Sequence, residues 1–189
     1  PYHVGYNPAV SGLSLNHNRV HFEWVRNGQG YGVTMDARSD RYRPDVRVAR
    51  MQVVARDLPV YTYADAQGVD QWTVAQSALG KGGARWLPVR RPDVYAGEVF
   101  RTFAGSQGIR LPAEDVARSL PGGSVIVRHQ SVPLPEILRD MLRYSTNLTA
   151  EMVGLAATQA RGGRPTSLAA SAGAMNSWAS SALGLSAPA

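Results

Sequence analysis

The stretch from Ser131 to Ala160 does most to limit how this chain of 189 residues can fold. Apolar residues at Leu134, Ile137, Leu138, Met141 and Leu142 follow the i, i+3, i+4, i+7, i+8 spacing that lays one stripe along a helix. Ser131 can cap its start, and Pro133 suits a first turn, where a proline loses no intrahelical hydrogen bond. Leu148, Met152, Leu155 and Ala156 predict a second helix. Tyr144-Ser145-Thr146-Asn147 is then the corner between two packed helices, and such a corner presents its side chains to a cleft.

Upstream the period changes. Pro1 to Asn18 is rich in turn signals (Asn7-Pro8, Ser11-Gly12, Asn16, Asn18) around one short strand. Arg19 to Arg26 alternates Val20, Phe22 and Trp24 with His21 and Glu23, the pattern of a half-buried strand. Asn27-Gly28-Gln29-Gly30 turns the chain into a strand over Tyr31 to Ala37. Further strands are predicted over Val46 to Arg56, Leu58 to Ala64, Asp70 to Gln76 with Trp72 and Val74 on one face, and Ala84 to Val89. A meander of about six short strands is the simplest arrangement. Pro92 opens a helix from Asp93 to Gln107, stopped by Gly108, with Val99, Phe100 and Phe103 as its inner face. After Pro121-Gly122-Gly123 comes a strand over Val125 to His129. A last helix, capped by Thr166 and ended by Gly184, aligns Leu168, Ala172, Met175, Ala179 and Leu183.

Several function classes are excluded at this level. The formal charge of +6 suits an anionic partner, but the arginines are scattered without an aromatic-interleaved basic block, so no nucleic-acid partner is expected. Cysteine is absent, which removes thiol nucleophiles, thiolate metal sites and disulfides. His17 and His21 are four apart, yet the local period is two and no glutamate follows the first histidine, so no zinc site is read there. The glycines at 28, 30 and 32 lack phosphate-loop spacing. No apolar run reaches transmembrane length.

Ser145-Thr146-Asn147 with Leu148-Thr149-Ala150-Glu151 resembles the Ser-x-Asn-Leu-x-Ala-Glu stretch of the D-alanyl-D-alanine carboxypeptidase/endopeptidase family, the class C low-molecular-mass penicillin-binding proteins of serine peptidase family S13. Ser131, Pro133, Leu134, Ile137 and Leu138 match the segment that precedes it there. Tyr6-Asn7-Pro8, Ser11, Leu13, Asn16 and Asn18 resemble a second family segment, and the text from Leu87 through Pro92, Ala96, Phe100 and Gly108-Ile109 a third. The resemblance spans Tyr6 to about Leu185. It implies an α+β chain: residues 1–18 as a joining segment, 19–130 as mainly β-rich inserted domain or domains, and 131–189 as the helical part of a penicillin-binding-protein/β-lactamase-like transpeptidase domain.

The same resemblance implies a periplasmic, exported enzyme acting on peptidoglycan stem peptides and inhibited by β-lactams, without metal or organic cofactor; a homo-oligomer is left open. Ser145 would relay a proton between a general-base lysine and the leaving amine, and Asn147 would hold a substrate amide and help to fix that lysine. Glu151, one turn further, is expected to make a structural hydrogen bond, and His129 is read as an ordinary strand residue with a supporting role beside the Ser-x-Asn helix as the alternative. Such enzymes also need a Ser-x-x-Lys nucleophile and a Lys-Thr-Gly triplet. The only lysine, Lys81, has Ala78 three residues before it and Gly82-Gly83 after it, so it belongs to neither. The chain is therefore expected to be part of a longer protein and inactive by itself. Thr146 stands where Asn or Asp is more usual. The competing readings are a noncatalytic wall-binding or scaffolding domain that kept the fold, and a free-standing β-rich domain unrelated to the family.

Overall fold

The computed structural model describes residues 3–117, 119 and 122–186. They fall into two units, Pro1–Arg128 and His129–Ala189. The first holds all six strands found among the described residues, β1 (Arg19–Asn27), β2 (Gly30–Asp36), β3 (Ala49–Val54), β4 (Tyr61–Ala66), β5 (Val69–Ala75) and β6 (Gly82–Pro88), followed by the helix α1 (Pro92–Ser106). The second holds α2 (Leu134–Tyr144), α3 (Asn147–Ala160) and α4 (Leu168–Leu183).

The strands do not form a meander. They make two three-stranded sheets, ordered β2-β1-β6 and β3-β5-β4. β1 is central in the first, antiparallel to both neighbours, with Val20 opposite Leu87 and Phe22 opposite both Met35 and Arg85. β5 is central in the second, antiparallel to β4 but parallel to β3. Alternation along a strand says which face is buried, but not which strands lie alongside. Here the chain leaves the first sheet after β2, builds the second, and returns as β6 to pair the open edge of β1.

Both sheets share one core. Val20 and Phe22 of β1, Trp72 and Val74 of β5, Leu87 of β6, and Tyr95 and Val99 of α1 are buried in a single cluster. The inner face of α1 therefore differs from the apolar reading of its sequence: Tyr95, Glu98 and Val99 point inward, while Phe100 is exposed and Phe103 lies against the exposed Tyr42 edge-on. Glu98 is the reason. Its carboxylate accepts hydrogen bonds from the backbone N–H of Arg47 (2.7 Å) and of Val48 (3.0 Å), so a charged side chain takes an inward position that an apolar-only reading gives to Phe.

Two further buried polar side chains work in the same way. Asn18 ends a run of three left-handed residues, Asn16 to Asn18, a conformation that asparagine tolerates better than most. Its Oδ1 accepts from the Leu15 N–H and its Nδ2 donates to the Ala9 carbonyl, holding the N-terminal segment, while its own carbonyl accepts from the Val89 N–H. Asp70 accepts from the Tyr63 hydroxyl (3.0 Å) and from the Arg90 N–H (2.7 Å). Burial raises the pKa of Asp70, and burial together with the Asp70 charge pushes Tyr63 up to about 12.

In the helical unit, α2 begins at Leu134 with Pro133 in the capping position, so Ser131 does not cap it. Val125 to His129 is not a strand; Val125, Ile126 and Val127 are exposed. A strand requires a neighbour to take its backbone groups, and none of the six strands pairs with this segment. Pro121, the first residue of the expected turn before it, lies outside the described residues. α3 meets α4 through small residues. Met175 seats its methyl group over Gly154, and the hydroxyls of Thr158 and Ser171 are 2.8 Å apart in a buried contact. Ser167, not Thr166, caps α4 by accepting the Ala170 N–H, and Gly184 ends it in the left-handed conformation. Met175 reaches α3 as its spacing predicted, but most of the expected stripe on α4 is exposed.

Glu98→Ala strips the buried Val48 N–H and the part-buried Arg47 N–H of their shared acceptor and is expected to destabilise the β-rich unit by about 2 kcal/mol in urea denaturation; an unchanged unfolding midpoint would show that the Arg47–Val48 loop holds without it. His21 packs edge-on against Trp86 at 5.0 Å, and its buried Nδ1 has no hydrogen-bond partner. Burial, and then the Arg38 charge, lower its pKa below the ordinary 6.5; His3 and His17 are lowered as well, chiefly by burial. With folded pKa values below the unfolded ones, the stability these groups contribute is full above pH 6.5 and is lost as pH falls through the depressed values. His21→Phe keeps the ring contact, so it should shrink the loss of stability between about pH 7 and pH 5, read by thermal melts across that window; an unaltered pH profile would remove His21 from the account.

Candidate active site

Ser145 and Asn147 stand at the joint between α2 and α3. Ser145 follows the last turn of α2 in the left-handed conformation (φ 51°, ψ 48°), and its N–H donates to the Met141 carbonyl. Thr146 is extended (φ −77°, ψ 98°), its N–H donating to the same carbonyl at 3.2 Å, and its own carbonyl accepts from the Ala150 N–H to start α3. Asn147 is the first residue of α3, and Leu148 behind it is buried, which anchors that first turn. The chain reverses here without glycine.

The Ser145 hydroxyl and the Asn147 carboxamide are exposed and make no hydrogen bond among the described residues. They do not point into a packed interior. Tyr144 beside them is exposed, with the Arg143 guanidinium over its ring at 5.4 Å. The joint thus offers a donor-acceptor hydroxyl and an amide two residues apart, free to bond to something else. Among the described residues no lysine, histidine or carboxylate bonds to the Ser145 hydroxyl, so the residues gathered here cannot activate it as a nucleophile. Glu151 is exposed and makes no side-chain hydrogen bond among the described residues, against the sequence expectation, although its spacing of three from both Leu148 and Gly154 puts it on the same side of α3 as those buried residues. His129 is exposed and lies outside any strand. Among the described residues no group of three His, Asp or Glu side chains is gathered as metal ligands would be.

The amphipathic face of α2 is only half covered. Ile137, Leu138 and Met141 are partly buried, while Leu134 and Leu142 at its ends are exposed. No helix among the described residues is long and apolar enough to cross a membrane.

This architecture is found in solved penicillin-binding proteins. Penicillin-binding protein 4 (dacB) from Haemophilus influenzae superposes with a TM-score of 0.66 over 93% of this chain and 40% of its own, at 18% identity. A second structure of that protein, in complex with a novel β-lactam, gives 0.61 over 91% and 40%, again at 18% identity. The fold is therefore the α+β fold of a penicillin-binding protein, and the chain spans 40% of the length of the solved proteins it matches. The profile of the D-Ala-D-Ala carboxypeptidase 3 (S13) family matches residues 2–186, and the chain belongs to that family. No curated protein sequence matches it.

The left-handed backbone at Ser145 costs about 1 kcal/mol for any residue with a Cβ. Ser145→Gly should therefore raise the stability of the helical unit by roughly that amount, and Ser145→Ala should not, in thermal melts followed by helical circular dichroism; equal melting of the two variants would show that the joint is unstrained.

Proposed function

We propose that this chain is the inserted β-rich part and the Ser-x-Asn part of a serine-type D-Ala-D-Ala carboxypeptidase/endopeptidase of the periplasm, acting on peptidoglycan stem peptides through an acyl-enzyme and blocked by β-lactams. The observation behind this reading is the pair Ser145 and Asn147, exposed and without hydrogen-bond partners at a strained helix joint, in a chain of the S13 family. Residues 19–130 form the insert, 1–18 join it to the preceding catalytic segment, and 131–189 belong to the catalytic domain. The nucleophile would come from a Ser-x-x-Lys segment, and the substrate carboxylate's partner from Lys-Thr-Gly, both carried by parts of the protein beyond these residues, since Lys81 fits neither.

In that setting the nucleophilic serine attacks the carbonyl of the penultimate D-Ala, forms an ester and releases the terminal D-Ala; water then hydrolyses the ester. The Ser145 hydroxyl can accept a proton and donate one at the same time, which suits transfer from the base lysine to the leaving amine. The Asn147 carboxamide can accept from one neighbour and donate to another, which holds a substrate amide in register with that lysine. A β-lactam follows the first half of the same course, and the complex of the Haemophilus protein with such a compound supports this part of the reading.

Fluorescent penicillin should label the full-length product that contains this chain and leave the 189-residue chain alone unlabelled. In the full-length protein, Ser145→Ala should slow acylation about 100-fold with unchanged circular dichroism. Labelling of the Ser145→Ala protein at the wild-type rate would sink the assignment. A full-length protein that takes up no label would favour the noncatalytic wall-binding reading instead.

A further inference from the structure

We propose that a polar cleft in the β-rich unit, away from Ser145 and Asn147 in sequence, binds a zwitterionic amino-acid head group, with its carboxylate on Arg26 and Arg56 and its ammonium on Asp57. The cleft has a volume of about 570 Å³ and lies where the end of β1, the start of β2, the loop after β3 and the turn after β5 converge; Tyr31, Gln76 and Ser77 complete its polar lining. Small-molecule sites commonly enclose about 300–1,000 Å³, so a dipeptide-sized ligand fits.

The charges in the cleft are unpaired with one another. Among the described residues the Arg26 side chain makes no hydrogen bond or ion pair, and neither does the Asp57 carboxylate. Two guanidinium groups and a carboxylate thus line one cleft without touching. A ligand carrying only one charge leaves a lining group of its own sign unmatched, whereas an α-amino-acid head group carries both signs and can satisfy both kinds of lining group.

The walls are also fixed in advance. Arg56 is held by its Nε, which donates to the Pro59 carbonyl at 2.7 Å, and its own carbonyl accepts from the Ser77 hydroxyl at 3.1 Å. The Tyr31 hydroxyl donates to the Gly80 carbonyl at 2.7 Å, and the Arg26 N–H donates to the Lys81 carbonyl at 2.9 Å. These bonds tie the β1–β2 hairpin and the loop after β3 to the turn that precedes β6, so little ordering remains to oppose a ligand. Arg56 Nη2 also donates to the Thr73 carbonyl at 3.5 Å, which leaves Nη1 of Arg56 and the whole Arg26 guanidinium without a hydrogen bond among the described residues.

The test is a titration of the 15N-labelled 189-residue chain with the dipeptide L-alanyl-L-alanine, its N-acetyl derivative and its C-terminal amide. The free dipeptide should shift the amide signals of Tyr31, Gln76, Ser77 and Gly80 saturably, and each blocked form should bind about tenfold more weakly, as loss of one charge-assisted contact implies. Arg26→Ala and Asp57→Asn should each weaken the free dipeptide by about the same factor while the rest of the spectrum stays in place, because neither side chain supports the fold. Equal binding of the acetylated form would make this a plain anion site, and equal binding of the amide a plain cation site; either result, or no localised shift at all, overturns the proposal. None of these readouts depends on penicillin labelling, so failure here and failure of the carboxypeptidase assignment are separate results.

Discussion

A buried backbone N–H or C=O must find a partner, and in the β-rich unit three buried side chains supply it where strand pairing stops. Asn18 does so for Ala9 and Leu15, Asp70 for Arg90, and Glu98 for Arg47 and Val48. Each holds backbone where one element hands over to the next: the N-terminal segment to β1, β6 to α1, and the loop after β2 to β3. The hydrophobic core shared by the two sheets provides most of the driving force, but it has no direction. These three groups fix which loops close over it. Asp70 illustrates the cost, since its burial raises its pKa even with two donors in place.

The helical unit is organised differently. α3 and α4 approach closely because Gly154 and the paired hydroxyls of Thr158 and Ser171 leave room, while the apolar face of α2 is only half covered, with Leu134 and Leu142 at its ends exposed. In water such a helix is held mainly by what packs on its apolar face. That half-covered face and the unpaired, apolar Val125 to Val127 segment just before it are the same kind of surface.

The sequence made some of this legible and hid the rest for physical reasons. Strand positions were readable because half-buried strands alternate, and Trp72 and Val74 came out on the buried face of β5. The Tyr144–Asn147 corner was readable because two stripes of different phase meet there, and α2 and α3 do end and begin around it. Sheet order was not readable, since pairing partners far apart in sequence leave no local signal; β6 pairs with β1 across more than half of the unit. Glu98 escaped because a carboxylate on a helix is ordinarily read as solvent-facing, and only the loop from Asp36 to Val48, folded over it, reveals the two N–H groups it accepts. Arg26, Arg56 and Asp57 were equally silent. They arise from separate elements, and only the fold gathers them.

The joint at Ser145 is where local cost and chemistry meet. A chain that only had to turn from α2 to α3 would use glycine at the left-handed position, as it does at Gly184 after α4. Serine there accepts a steric penalty, and its hydroxyl gains no hydrogen bond among the described residues in return. Strain persists where surrounding structure over-determines it, and here Thr146 and Ser145 both donate to the Met141 carbonyl while Leu148 locks the next turn. The backbone that carries the hydroxyl is thereby held in a short bend between two helices, with Asn147 at the next helical start. In the proposed enzyme, a hydroxyl that passes a proton between two others would gain from having its backbone position set before they arrive, which backbone contacts do at this joint.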